Sequence, residues 1–287
     1  MSHHPIADHL PLPPVRPTWR QSLAIGLFGA AATAACLFGA KSAFAQENGE
    51  GSDDWTILLG AGAIYAPDYE GSEDHELLPF PFVSIEYKDI VYLRGSEIGA
   101  NLLRIRPADD VKLSIGPIAR YRRDRPEKRN DALNGLGKVD SAFEVGGLAR
   151  LAAGPTWIEV SLAQDVADGH DGLVGTATAG ADVRLSEALS LTASASASWA
   201  DEDYMQSYFS VNAAQAARSG LPTFITDKGV KDVGATMTLN YRIDDRWLVS
   251  ATGGYTRLLN DAKDAPLVRL RGSADQWQGG LFLAYRF

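Results

Sequence analysis

From Trp55 onward, apolar and polar residues alternate over segments of about ten residues, the length of a strand that crosses a bilayer at a tilt. Over 111–122 the odd positions are Val111, Leu113, Ile115, Pro117, Ala119 and Tyr121, while the even ones include Lys112, Ser114, Arg120 and Arg122. The same split sets Leu189, Leu191, Ala193, Ala195, Ala197 and Trp199 against intervening Ser and Thr. It also sets Val233, Ala235, Met237, Leu239, Tyr241 and Ile243 against Asp232, Thr236, Thr238, Asn240 and Arg242. Period two is the signature of a strand with one apolar face. The pattern predicts twelve strands, at 55–65, 79–87, 90–94, 97–103, 111–122, 141–152, 155–165, 173–185, 188–200, 230–243, 246–258 and 276–287. Breaking 90–103 at Gly95-Ser96 gives an even count, as bacterial single-chain barrels have. Ten or fourteen strands stay open, because Tyr208-Phe-Ser-Val211 within 201–229 also reads as a short strand.

Alternation alone also suits a soluble sandwich, whose apolar faces meet in a dry core. Three features point the apolar faces to lipid instead. Aromatic residues mark the strand ends (Trp55, Tyr65, Tyr87, Tyr121, Trp199, Tyr241, Trp247, Tyr255, Trp277, Tyr285), as an interfacial girdle requires. Ala and Gly are frequent at the apolar positions, which suits fluid lipid better than a packed core. The last stretch, Trp277 to Phe287, places Leu281, Leu283, Tyr285 and Phe287 on one face. It resembles the terminal strand of outer-membrane barrels, with Tyr285 and Phe287 as the signal that barrel-insertion machinery reads. Hydrocarbon satisfies no backbone N–H or C=O, so a sheet crosses it only as a closed ring. The expected fold is all-β: a transmembrane antiparallel up-and-down barrel over 55–287, in contact with outer-membrane lipid. With both chain ends periplasmic, the long connections 66–78, 123–140, 166–172, 201–229 and 259–275 fall outside. The short ones, 88–89, 104–110, 153–154, 186–187 and 244–245, fall inside.

Residues 1–45 read as a secretory signal peptide. Arg16 and Arg20 precede the apolar run 22–39, and Ala43-Phe44-Ala45 supplies a cleavage sequence. A retained inner-membrane anchor is the competing reading, and the Gly- and Ala-rich run ending in a cleavage site favours removal. Thr33 stands where a lipoprotein signal at Cys36 would want Leu. Cleavage near Ala45 leaves a short periplasmic segment, 46–54, ahead of the barrel. Cys36 is the chain's one cysteine, so the mature protein relies on closure rather than on disulfides. The formal charge of −9 repels nucleic acid, and nucleic-acid binding is not expected. On this register Glu86, Arg120, Arg122, Glu144, Arg150, Glu159, Asp165, Asp182, Arg184 and Arg242 point inward. Charges of both signs within about twelve strands predict paired side chains that narrow the lumen and exclude a wide pore.

Four stretches remain: Pro67-Asp68-Tyr69-Glu70-Gly71-Ser72, Gly169-His170-Asp171-Gly172, Tyr204 to Phe209 with Tyr208, and Asp261 to Pro266. In order and spacing, together with the signal peptide and the closing Tyr285-Arg-Phe287, the chain resembles the MipA/OmpV family of outer-membrane proteins across essentially its whole mature length. Ser210 stands where the family usually has Gly, and Ala265 where Ser is common. Turn chemistry is the plainer reading of each motif: Pro67 and Gly71 bracket a bend, Gly169 and Gly172 take positive φ around His170, and Pro266 caps a strand. All four fall on the outer side of the expected topology.

The residues support no enzyme chemistry. Only His75 and His170 survive cleavage, too few for a zinc site of His and Cys. No G-x-S-x-G elbow or Gly-rich phosphate loop occurs, and the Asp165, Asp168, Asp171 spacing does not match a calcium loop. No cofactor is expected. The resemblance implies a scaffold that holds a murein hydrolase near a murein synthase. Two alternatives stay open: a narrow channel for small solutes through Arg120, Arg122 and Arg150, and an adhesin or antigen displayed on the long loops.

Overall fold

The computed structural model describes residues 54–287, so the expected signal peptide and all of the 46–54 segment except Asp54 lie outside the described residues. The first strands are β1 (Trp55–Pro67), β2 (His75–Tyr87), β3 (Val91–Arg94), β4 (Glu97–Ala100), β5 (Leu103–Ala108), β6 (Val111–Arg122) and β7 (Ala142–Ala153), each antiparallel to the next except that β4 and β5 both pair with β6. The ring continues through β8 (Thr156–Asp165), β9 (Leu173–Arg184), β10 (Leu189–Ala200), β11 (Gly229–Arg242), β12 (Trp247–Leu258) and β13 (Asp275–Arg286). Two ladders close it: β1 with β13, in register from Leu58↔Arg286 to Tyr65↔Gly279, and β4 with β6. No helix among the described residues is long and apolar enough to cross a membrane.

Of the connections expected at the short-turn end, 104–110 needs correction. Leu103–Ala108 forms β5 and only Asp109-Asp110 turns. β4 and β5 share the edge of β6, β4 against Ile118–Arg120 and β5 against 111–115, so thirteen ladder segments fill a ring of twelve places. Pro107 suggests a turn in the sequence, yet β5 is paired on one side only, where proline is tolerated. The interval 201–229 adds no strand, which settles the count. It folds as α1 (Glu202–Phe209) and α2 (Ala213–Ser219), with Val211 bridged to Phe224. The last long connection holds α3 (Asn260–Asp264) and α4 (Pro266–Arg271).

The apolar faces point outward. Leu77, Ile115, Val145, Val160, Met237, Leu239 and Leu281 are exposed, and the aromatic residues cluster toward the two ends of the strands. Trp55 lies against Tyr87 and Trp247 against Tyr285 at the short-turn end, while Tyr255 meets Trp277 and Tyr121 meets Phe143 at the other. The lumen is less uniformly charged than the alternation predicts. Leu58, Ile64, Phe80, Phe82, Leu248 and Phe282 pack on one side of it, with Phe282 edge-on to Phe80 at 6.1 Å. The ion pairs occupy the other side. Arg120 reaches Glu97 (3.3 Å) and Glu144 (3.7 Å), and Arg150 pairs with Glu159 (3.1 Å). Asp182 accepts from Thr192 (2.6 Å), and the half-exposed Arg242 donates to the Glu187 carbonyl at the turn end (3.0 Å).

Candidate functional site: a plug built from five loops

The end of the barrel that carries the long connections is not an open mouth. Its loops fold inward onto two apolar clusters. One gathers Val139, Val174, Tyr204, Met205, Phe209, Leu258 and Val268; the other gathers Tyr69, Leu133, Leu136, Val211, Leu221 and Leu267. Asp201 caps α1 by accepting from the Tyr204 amide at 3.1 Å. Tyr204, Met205, Tyr208 and Phe209 then share one helical face and are buried together.

Glycine roles differ from the turn reading. Gly71 does adopt positive φ (+95°), and its amide donates to Gln276 Oε1 at 3.1 Å. In the second motif the positive φ values belong to Asp168 and Asp171 (both 56°), not to Gly169 or Gly172. Gly172 is required by proximity: a Cβ there collides with the Tyr204 amide and the Asp201 carboxylate. Asp165 makes this turn possible, its carboxylate accepting from the amides of Ala167, Gly169, His170 and Asp171 at 2.7–3.0 Å. Pro266 opens α4 rather than capping a strand, which its fixed φ and missing N–H suit. Asp261 accepts from the Asp227 amide at 2.9 Å and so joins the last two long loops. Of the two departures from the family pattern, Ser210 bonds Thr226 (2.9 Å) and Ala265 is fully buried.

A buried polar chain runs through the plug into the lumen. His170 Nδ1 accepts from the Gly172 amide (3.0 Å), which leaves Nε2 to donate to Glu144 Oε1 (3.0 Å). Arg122 donates to the same carboxylate (2.5 Å) and to the Tyr204 hydroxyl (3.3 Å). That hydroxyl donates to Glu70 (2.8 Å), whose carboxylate also pairs with Lys231, and Lys231 in turn pairs with Asp232. Pro67–Ser72, Gly169–Gly172 and Tyr204–Phe209 thus meet around one network. The Asp261–Pro266 motif leads into α4, whose Val268 fills the space at Gly71. Asp68 joins the 123–140 loop by accepting from Asn130 (2.8 Å). Tyr285 and Phe287 meet edge-to-face, centroids 4.9 Å apart, at the opposite end.

Electrostatics favour a closed plug at neutral pH. Burial pushes the Tyr204 phenol well above its ordinary value and that of Tyr208 up to about 12, so both stay neutral. Burial acts to raise Glu70, but Lys231 and the Tyr204 hydroxyl outweigh it and hold the carboxyl below 4.5. A depressed carboxyl contributes stability that is complete above its unfolded value and lost as pH falls through the folded one. Protease resistance of the loops in the refolded protein should therefore persist at pH 5 and fail only in stronger acid, and Glu70→Gln should abolish that acid step. An unchanged step in E70Q would show that another group controls it. Tyr204→Phe should cost about 1.5–3 kcal/mol, since both lost partners are charged, as read by urea titration in lipid vesicles. No detectable loss would mean that the hydroxyl bridges nothing.

Beneath the plug lies a cavity of about 160 Å³ lined by Glu70, Arg122, Arg125, Tyr208, Lys231 and neighbours. A second, of about 130 Å³, sits toward the turn end among Arg94, Lys112, Arg150, Glu159 and Asp182. Their linings share no residue, and buried Ile118, Glu144, Ala163 and Phe282 occupy levels between them. Among the described residues no group of three His, Cys, Asp or Glu is placed to hold a metal. Glu70, Arg122 and Tyr204 stand out in the sequence. Lys231 and Arg125 do not, and only the adjacent charges Lys231-Asp232 at the head of an alternating strand hint at them.

The family described as MltA-interacting protein MipA matches residues 59–287. The putative outer membrane protein YiaT of Escherichia coli K12 is 26% identical over 222 residues, covering 74% of this chain and 84% of that protein. Outer membrane protein Omp26La of Vibrio anguillarum is 27% identical over 157 residues, covering 55% and 59%. Among solved structures, the NanC porin aligns with a TM-score of 0.43 and 9% identity, covering 80% of this chain and 100% of that one.

Proposed function

Since the chain belongs to the MltA-interacting protein MipA family of outer-membrane barrels, we propose that it is a non-enzymatic scaffold that holds murein-processing enzymes at the inner face of the outer membrane. The observation that carries this reading is the filled lumen. Five loops close one end, and paired charges with packed Phe side chains fill the middle, so the barrel offers surfaces rather than a standing pore. Short turns inward and long loops outward orient the plug to the exterior and the turn end to the periplasm. The periplasmic rim then presents β5, every residue of it exposed, with Arg104 and Arg106 between Leu103, Ile105 and Pro107. A basic, one-sided edge of this kind offers both backbone groups and charge to a partner.

Refolded mature protein incubated with solubilised murein enzymes should retain a lytic transglycosylase above the level of an unrelated barrel. The Arg104→Glu/Arg106→Glu pair should lose it while keeping folded mobility. Recovery no greater than that control would end the scaffold reading.

A further inference from the structure

We infer that the cavity beneath the plug binds a small hydroxylated carboxylate no larger than a single sugar ring. The inference is independent of the scaffold role and rests on Arg125. Arg125 is buried, 6% exposed, and its guanidinium donates to backbone carbonyls: Nη1 to Tyr208 (2.8 Å) and Nη2 to Ser207 (3.3 Å). Among the described residues no carboxylate lies within ion-pair distance of it, and its Nε meets no acceptor. Glu70, which shares the cavity wall, is already engaged by Lys231 and Tyr204. A buried cation without a counter-ion is costly, and an anion arriving in the cavity removes that cost.

The rest of the wall fits such a guest. The Tyr208 hydroxyl, Thr176 Oγ1, Gln278 Nε2 and Arg129 Nε are buried, line the cavity and have no hydrogen-bond partner; Asp68 Oδ1 is an acceptor in the same state. Buried polar groups are rarely left so, and here they gather around one space. Donors outnumber acceptors, which selects an acceptor-rich guest. One carboxylate would meet Arg125, while hydroxyls, which both donate and accept, would meet the remainder. The faces of Tyr204 and Tyr208, stacked with centroids 4.6 Å apart, give the wall an aromatic side. A volume of about 160 Å³ is close to that of an engineered cavity that admits one benzene, which limits the guest to one ring.

The test is calorimetric titration of the refolded full chain in detergent with D-glucuronate, D-glucose and acetate. Saturable binding is expected for glucuronate, at least tenfold tighter than for glucose or acetate. Arg125→Gln should weaken glucuronate at least tenfold while the barrel keeps its folded electrophoretic mobility. Should that variant not fold, Tyr208→Phe, which removes a hydroxyl that has no partner in the protein, should weaken glucuronate about fivefold. No saturable heat with glucuronate, glucose binding as tightly as glucuronate, or unchanged affinity in the folded variants would each overturn the assignment.

Discussion

Replacing Glu144 with Ala should lower barrel stability by about 3–5 kcal/mol, because it leaves buried cations without their carboxylate. Glu144 is fully buried and takes hydrogen bonds from Arg122 and His170, with Arg120 within ion-pair distance. The other bonded partner of Arg122 is the Tyr204 hydroxyl, and Glu70 beyond it is already paired with Lys231. The loss should therefore spread upward. Released Arg122 and His170 loosen α1 and the Gly169–Gly172 turn, and trypsin should reach Arg218 and Lys228 in the folded variant faster than in the parent. Urea titration in vesicles gives the energy and limited proteolysis gives the spread. A cost below about 1 kcal/mol would mean that lumen water already solvates the site.

Leu281→Arg should cost about 2–4 kcal/mol, the usual effect of a cation facing lipid near the bilayer midplane. Leu281 is 59% exposed and lies midway along β13 between Trp277 and Tyr285, which face the same side toward the two ends of the strand. Ile243→Arg, outward-facing just past the end of β11, is the control: it should cost about 0–1 kcal/mol, because charge there reaches water and headgroups. Equal costs would show that depth is irrelevant and that the exposed apolar faces do not meet a bilayer.

The strands were legible because a bilayer imposes one simple rule, lipid-facing against lumen-facing, at every second residue. Val111–Arg122 and Leu189–Ala200 lie within a residue of where alternation puts them. β5 was hidden because Pro107 reads as a turn when the strand's free edge is not known. The apolar half of the lumen was hidden for a related reason. Phe80, Phe82 and Phe282 occupy inward positions that the period-two rule assigns to polar groups, and only a closed ring brings them together. The plug was the least legible part. Its motifs are visible one by one as turn-like sequence, but the bond from Tyr204 to Glu70 spans 134 positions, and no local propensity encodes it. Gly172 shows the difference: alone it suggests positive φ, whereas its actual constraint is the α1 backbone lying against it.

Planar-bilayer recording of the refolded wild-type chain at neutral pH tests the closed lumen most directly. A barrel sealed by loops and by paired charges should add no unitary steps to the current of the bare bilayer. Reproducible steps of a single size from the unmodified protein would contradict the closed lumen on which the scaffold reading depends.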